Sequence, residues 1–141
     1  MATHSGTCFC GAVEVTATGE PMGMGYCRCE DCRSWSAGPG NAFTLWTRNM
    51  VKVTRGSDKL GRFSKSENSV REFCTVCGGH LMTDHPVWGL TDVFTATVPM
   101  VDFAPGVHVN YASTTRHGKD GPARMQDLSG KPGRRREILP A

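Results

Sequence analysis

YCRCEDC, residues 26–32, places three cysteines, Cys27, Cys29 and Cys32, within six positions. A disulfide uses two thiols and a closed tetrahedral metal site uses four, so a set of three points to a different chemistry. The other four cysteines stand in two tight pairs, Cys8 with Cys10 in CFCG and Cys74 with Cys77 in FCTVCGG. Structural zinc takes four protein ligands and closes, whereas catalytic zinc takes three and keeps one position for water or substrate. The two pairs therefore read as one closed site and the triplet as an open one. Gly11 after Cys10, and Gly78 and Gly79 after Cys77, suit this partition, because glycine tolerates the turn that aims N–H groups at a metal-bound sulfur.

The spacing leaves two other partitions open. Cys8 and Cys10 could join two cysteines of the triplet, leaving Cys74 and Cys77 as a redox pair and one thiol orphaned. Alternatively His80, His85, His108 or an acid could complete the triplet and make it structural. Disulfides fit less well. The N-terminal stretch lacks the charged segment and apolar run of a signal peptide, and no stretch reads as a membrane span. The expected location is thus the reducing cytoplasm, where clustered cysteines serve metals or catalysis.

Length and composition agree with a metal-stabilised domain. A chain of 141 residues is expected to form one domain, and 38% apolar content with 17 Gly and 8 Pro makes a small, turn-rich core that gains from a cross-link. The formal charge of +3 does not argue for nucleic acid, because seven thiolates on two Zn²⁺ ions bring it to zero. Nor are the two tryptophans of SWSAGPGNAFTLW interleaved with a basic run. From about Asp127 the chain changes to SGKPGRRREILPA, so residues 1–127 read as the zinc-binding domain and 128–141 as a basic, mobile, solvated tail.

The apolar pattern is that of short strands. Val13, Val15 and Ala17 alternate with Glu14 and Thr16, and Val51 and Val53 with Lys52 and Thr54. VREFC, DVFTATV and VHVNY are rich in β-branched and aromatic residues, and TGEP, SAGPGN, TRGSDKLG and FAPG between the strands carry turn chemistry. EDCRSWS has room for one or two helical turns. The expected fold is all-β.

C-x-C-G near the start, Y-C-x-C-x-x-C-R next and F-C-x-x-C-G late in the chain resemble the glutathione-dependent formaldehyde-activating enzyme family, also called the CENP-V/GFA domain. The resemblance runs from about Thr7 to Asp127 and takes in CGAVEV, RFSKSENSVREFCTVCGG, PGVHVNY and KDGPARM. It implies an Mss4-like fold of several coiled antiparallel β-sheets, with a structural zinc on Cys8, Cys10, Cys74 and Cys77 and a second, catalytic zinc on Cys27, Cys29 and Cys32. It also implies a carbon–sulfur lyase activity of the S-(hydroxymethyl)glutathione synthase type, which joins glutathione and formaldehyde. Glutathione carries two carboxylates, so Arg28 and Arg33 beside the triplet are expected to bind it, with Trp35 as a wall. Two non-catalytic functions suit the same residues: a carrier of glutathione or another thiol, and a zinc-stabilised interaction domain.

Overall fold

A computed structural model describes residues 1–109 and the backbone of two later strands, Ala123–Met125 and Ile138–Leu139. The boundary expected after Asp127 and the GRRR run fall outside the described residues. The described chain is all-β. Its strands are β1 (Thr3–Thr7), β2 (Glu14–Thr18), β3 (Gly23–Cys27), β4 (Asn41–Thr47), β5 (Val51–Arg55), β6 (Leu60–Ser66) and β7 (Ser69–Cys74). After them come β8 (His80–His85), β9 (Leu90–Phe94), β10 (Val107–Val109), β11 (Ala123–Met125) and β12 (Ile138–Leu139). One short helix, α1 (Glu30–Ser36), is the EDCRSWS segment. Among the described residues no helix is long and apolar enough to cross a membrane.

Where length alone suggests a single body, the chain divides into two compact units, each built from separate stretches. The first comprises Met1–Gly23 and Thr44–Phe103, and the second Met24–Phe43 with the described residues from Ala104 onward. In the first unit β1, β2 and β5 form an antiparallel sheet, with Thr3 opposite Thr18 and Thr7 opposite Glu14. The alternation read from the sequence decides its buried face: Val13, Val15 and Ala17 are fully buried. Each buried valine contributes about 1.5–3 kcal/mol relative to exposure. Strands β6 to β9 make an antiparallel meander in the same unit, and the end of β4 lies beside β9. Trp46, also buried, donates from Nε1 to Thr44 Oγ1 at 2.8 Å, and Thr44 in turn donates to the Val93 carbonyl at 2.9 Å. The indole thus buries its bulk without orphaning its N–H.

The second unit departs from an all-antiparallel plan. β10 runs parallel to β3, with His108 opposite Tyr26 and Val109 opposite Cys27, and parallel to β11 as well; β12 closes the edge antiparallel to β11. Parallel neighbours need a long crossover. Here the chain between β3 and β10 supplies it.

His85, at the end of β8, gives the first unit a titratable support. Its Nδ1 lies 2.7 Å from the Asn68 carbonyl and its Nε2 3.0 Å from Asp92 Oδ2, so both ring nitrogens face acceptors. The Trp88 ring packs on it with centroids 5.2 Å apart. Burial lowers its pKa and the nearby Arg71 does so too, but the Asp92 carboxylate and the Asn68 carbonyl outweigh them and the net shift is upward. The imidazolium is therefore favoured in the folded state. Its stabilisation is complete below the unfolded pKa of about 6.5 and is lost as pH rises through the higher folded value. Raising the pH from about 6 to about 8 should thus lower the melting temperature of the parent more than that of His85→Gln. Parallel pH profiles would contradict the assignment.

Candidate metal centres

Each unit gathers its own cysteines. In the first, the loop before β2 carries Cys8 and Cys10, while Cys74 ends β7 and Cys77 lies in the tight loop before β8. Their four sulfurs lie within 4.8 Å of one another. Cys8 Sγ is 3.7 Å from Cys10 Sγ, which is 3.8 Å from Cys74 Sγ. Four sulfurs bound to one zinc at about 2.3 Å sit about 3.8 Å apart, so the donor set matches a tetrahedral zinc in chemistry and in spacing. The partition that would pair Cys8 and Cys10 with the triplet does not match this grouping.

The backbone around these sulfurs is arranged for anions. Val13 N–H donates to Cys8, Val76 N–H to Cys74 and Gly79 N–H to Cys77, each at 3.3 Å. The last of these follows from Gly78, whose φ of 75° lies in the left-handed region where glycine is favoured. Burial works against ionisation of Cys8, but the Val13 N–H and the neighbouring sulfurs outweigh it and bring the thiol down to about 6. The Gly79 N–H does the same for Cys77, which is also lowered. Cys10 moves the other way: the Ala12 N–H favours its thiolate, yet burial and the three sulfurs around it push it up to about 11. Thiolates this close repel one another, and a divalent cation among them relieves that repulsion.

In the second unit Cys27 ends β3, Cys29 is the N-cap of α1 and Cys32 lies in its first turn. These three sulfurs also lie within 4.8 Å of one another. The cap is formed by the sulfur itself, which accepts the Cys32 N–H at 3.2 Å. Cys29 and Cys32 beside it hold the Cys27 thiol well above its ordinary range, again the mark of sulfurs that share one charge. Among the described residues this group contains cysteines alone. Of the histidines considered as a fourth ligand, His85 is engaged by Asn68 and Asp92, and His108 Nδ1 accepts from Arg28 Nε at 2.9 Å. His80 lies in neither group, and burial together with Arg71 lowers its pKa.

The two arginines beside the triplet both brace its loop. Arg28 is only 9% exposed, which for so long a cation requires partners. Its guanidinium lies 5.6 Å from the centre of the Tyr26 ring, and its main-chain N–H donates to the Val109 carbonyl at 3.0 Å. His108, fully buried, stacks on the same Tyr26 ring with centroids 4.9 Å apart. Because Arg28 donates to Nδ1, a neutral His108 carries its proton on Nε2. Arg33 Nε donates to the Arg28 carbonyl at 3.2 Å, and Trp35 is half-buried on α1. Sequence spacing placed Arg28 near the cysteines, but it carried no sign of Tyr26 and His108 as supports. Their meeting depends on β3 pairing with a strand some eighty residues later in the chain.

The model of the glutathione-dependent formaldehyde-activating enzyme family matches residues 3–113, so the KDGPARM segment of the sequence resemblance lies beyond the match. An uncharacterised lyase of Schizosaccharomyces pombe is 31% identical over 78 residues, and the chain spans about half, 55%, of that protein's length. The same alignment covers 55% of this chain. The crystal structure of a Rhodobacter sphaeroides protein superposes with a TM-score of 0.58 over 70% of this chain and 90% of that one. At 23% identity that likeness bears on the fold alone.

Proposed function

The chain belongs to the glutathione-dependent formaldehyde-activating enzyme family, and from that membership we propose that it is a zinc-dependent enzyme joining a thiol and an aldehyde, with glutathione and formaldehyde as the pair. The observation that supports this reading is the gathering of Cys27, Cys29 and Cys32, among the described residues a group of three sulfurs, one fewer than a closed zinc site needs. On this reading the first unit's four cysteines hold a structural zinc and the triplet a second, catalytic one. Zinc at the triplet supplies the positive charge that favours the thiolate form of a substrate thiol over the free thiol of pKa about 8.5. Three thiolates leave little positive charge for activating water, so the site suits a soft sulfur ligand.

In the reaction the thiol gives up its proton, a sulfur lone pair forms a C–S bond to the aldehyde carbon, and the C=O π pair moves to oxygen. That oxygen takes up a proton, giving a hydroxymethyl thioether. The residues of the chain divide the work. Cys27, Cys29 and Cys32 hold the site, with Cys29 fixed by the Cys32 N–H. Arg28 locks the loop through His108 and Tyr26 and places positive charge beside it. Arg33 ties α1 to the Arg28 carbonyl, and on this reading Arg33 and Trp35 meet the carboxylates and stem of the thiol substrate.

The test is titration of the zinc protein with glutathione by calorimetry in buffers of different ionisation enthalpy. The expected result is release of about one proton per chain on binding, as the thiol ionises. S-methylglutathione keeps both carboxylates but forms no thiolate, and should bind much more weakly. Equal binding of the two would place recognition on the arginines and leave the triplet without its role. Tight binding of glutathione with no faster formation of the hydroxymethyl adduct than in buffer would identify a thiol carrier instead.

A further inference from the structure

Asn41, the first residue of β4, is 6% exposed, and its side-chain Nδ2 is buried with no hydrogen-bond partner among the described residues. Nearly all buried polar groups in folded proteins are paired, and one that is not points to an acceptor still to arrive. The position of Asn41 says which. β3 and β4 are neighbours in the sheet, and side chains alternate between faces along each strand. A Cβ on Gly25 would lie 3.3 Å from the Phe43 ring, so Gly25 and Phe43 belong to one face of the pair. Cys27 is two residues beyond Gly25 and Asn41 two before Phe43, which puts their side chains on that same face. Gly40 brings the two strand ends together, since a Cβ there would come within 2.7 Å of the Cys27 carbonyl.

We propose that Asn41 is a positioning residue of the triplet, its amide N–H donating to the Cys27 sulfur when that sulfur is a metal-bound thiolate. A thiolate is a stronger acceptor than a thiol, so the bond forms with loading, and the amide orients the ligand and draws charge off it. The same device is already present in main-chain form at Cys8, Cys74, Cys77 and Cys29, each of which accepts a backbone N–H. At the end of β3 the donor comes from a side chain on the next strand.

This inference rests on the triplet being a metal site, and its test separates the two. Asn41→Leu keeps the approximate volume and removes the donor, and Asn41→Ala repeats the deletion with a smaller group. Metal affinity is measured by competition with a chromophoric chelator, the four-cysteine site serving as the internal reference. The triplet affinity should fall about 10–100-fold in both variants while the reference site is unchanged. In the cobalt-loaded protein the sulfur-to-cobalt charge-transfer band should move to lower energy, because a sulfur that has lost its N–H donor holds its lone pairs less tightly. A parent that takes two metals, with variants of unaltered triplet affinity and an unmoved band, overturns the role of Asn41 alone. Weakening of both sites together with an unmoved band overturns it too, since that marks a packing residue. A parent that takes a single metal overturns the triplet reading and the Asn41 role with it.

Discussion

Cys74→Ser is expected to unfold the first unit. Cys74 is fully buried at the end of β7, and its sulfur meets that of Cys10, 64 positions earlier in the chain, at 3.8 Å. A metal on this group ties the N-terminal loop to the β6–β9 meander. Structural zinc is worth roughly 10–16 kcal/mol in small zinc-binding peptides, against about 5–15 kcal/mol of net stability for a whole domain. A serine hydroxyl does not replace a thiolate on zinc, and the three remaining sulfurs stay crowded together, with Cys8 buried, without the ion to relieve their repulsion. The variant should express as aggregated protein or, where soluble, lack a cooperative thermal transition. A soluble Cys74→Ser protein with the parent's melting temperature would show that the four cysteines do not hold the fold.

Cys29→Ser should have the opposite profile, with the fold kept and the function lost. Its partners Cys27 and Cys32 are close in sequence, so a metal held by the three closes only a tiny loop and constrains the unfolded chain little. Serine is also a favoured N-cap, so the cap of α1 survives the change from sulfur to oxygen. The purified variant should hold one zinc fewer per chain, melt near the parent, release no proton with glutathione and form the hydroxymethyl adduct no faster than buffer. Loss of folding as severe as that of Cys74→Ser would mark the triplet as structural.

The cysteine grouping was legible because zinc chemistry counts its ligands, so a total of seven could be divided before any contact was known. Strands with an apolar face were legible for a related reason: the alternation at Val15 and Ala17 is the buried face of β2, and VREFC is most of β7. The exposed strands were not. β1 (THSGT) and β6 (LGRFSKS) have no apolar alternation and are held by pairing with β2 and β7. DVFTATV reads as one strand, yet β9 stops at Phe94 and Thr95–Thr97 form a 3-10 turn, whose Thr97 hydroxyl donates to the Leu81 carbonyl. In VHVNY, Val107–Val109 form β10 and the last two residues lie outside the described chain. The division into two discontinuous units and the parallel β3–β10 pairing depend on partners remote in sequence, which no local period encodes. For the same reason nothing local in the sequence marks the burial of Arg28 against His108, while Asn41 looks like the end of the turn SAGPGN.

On the proposed reading one chain holds a closed four-sulfur metal site and an open three-sulfur one. X-ray absorption at the zinc edge, on protein of known zinc content, tests it most directly. Two zinc ions per chain are expected, with an average of about 3.5 sulfur ligands each, rising to about 4 when glutathione is added. A single zinc per chain, or an average of about 4 sulfurs before any thiol is present, would contradict it.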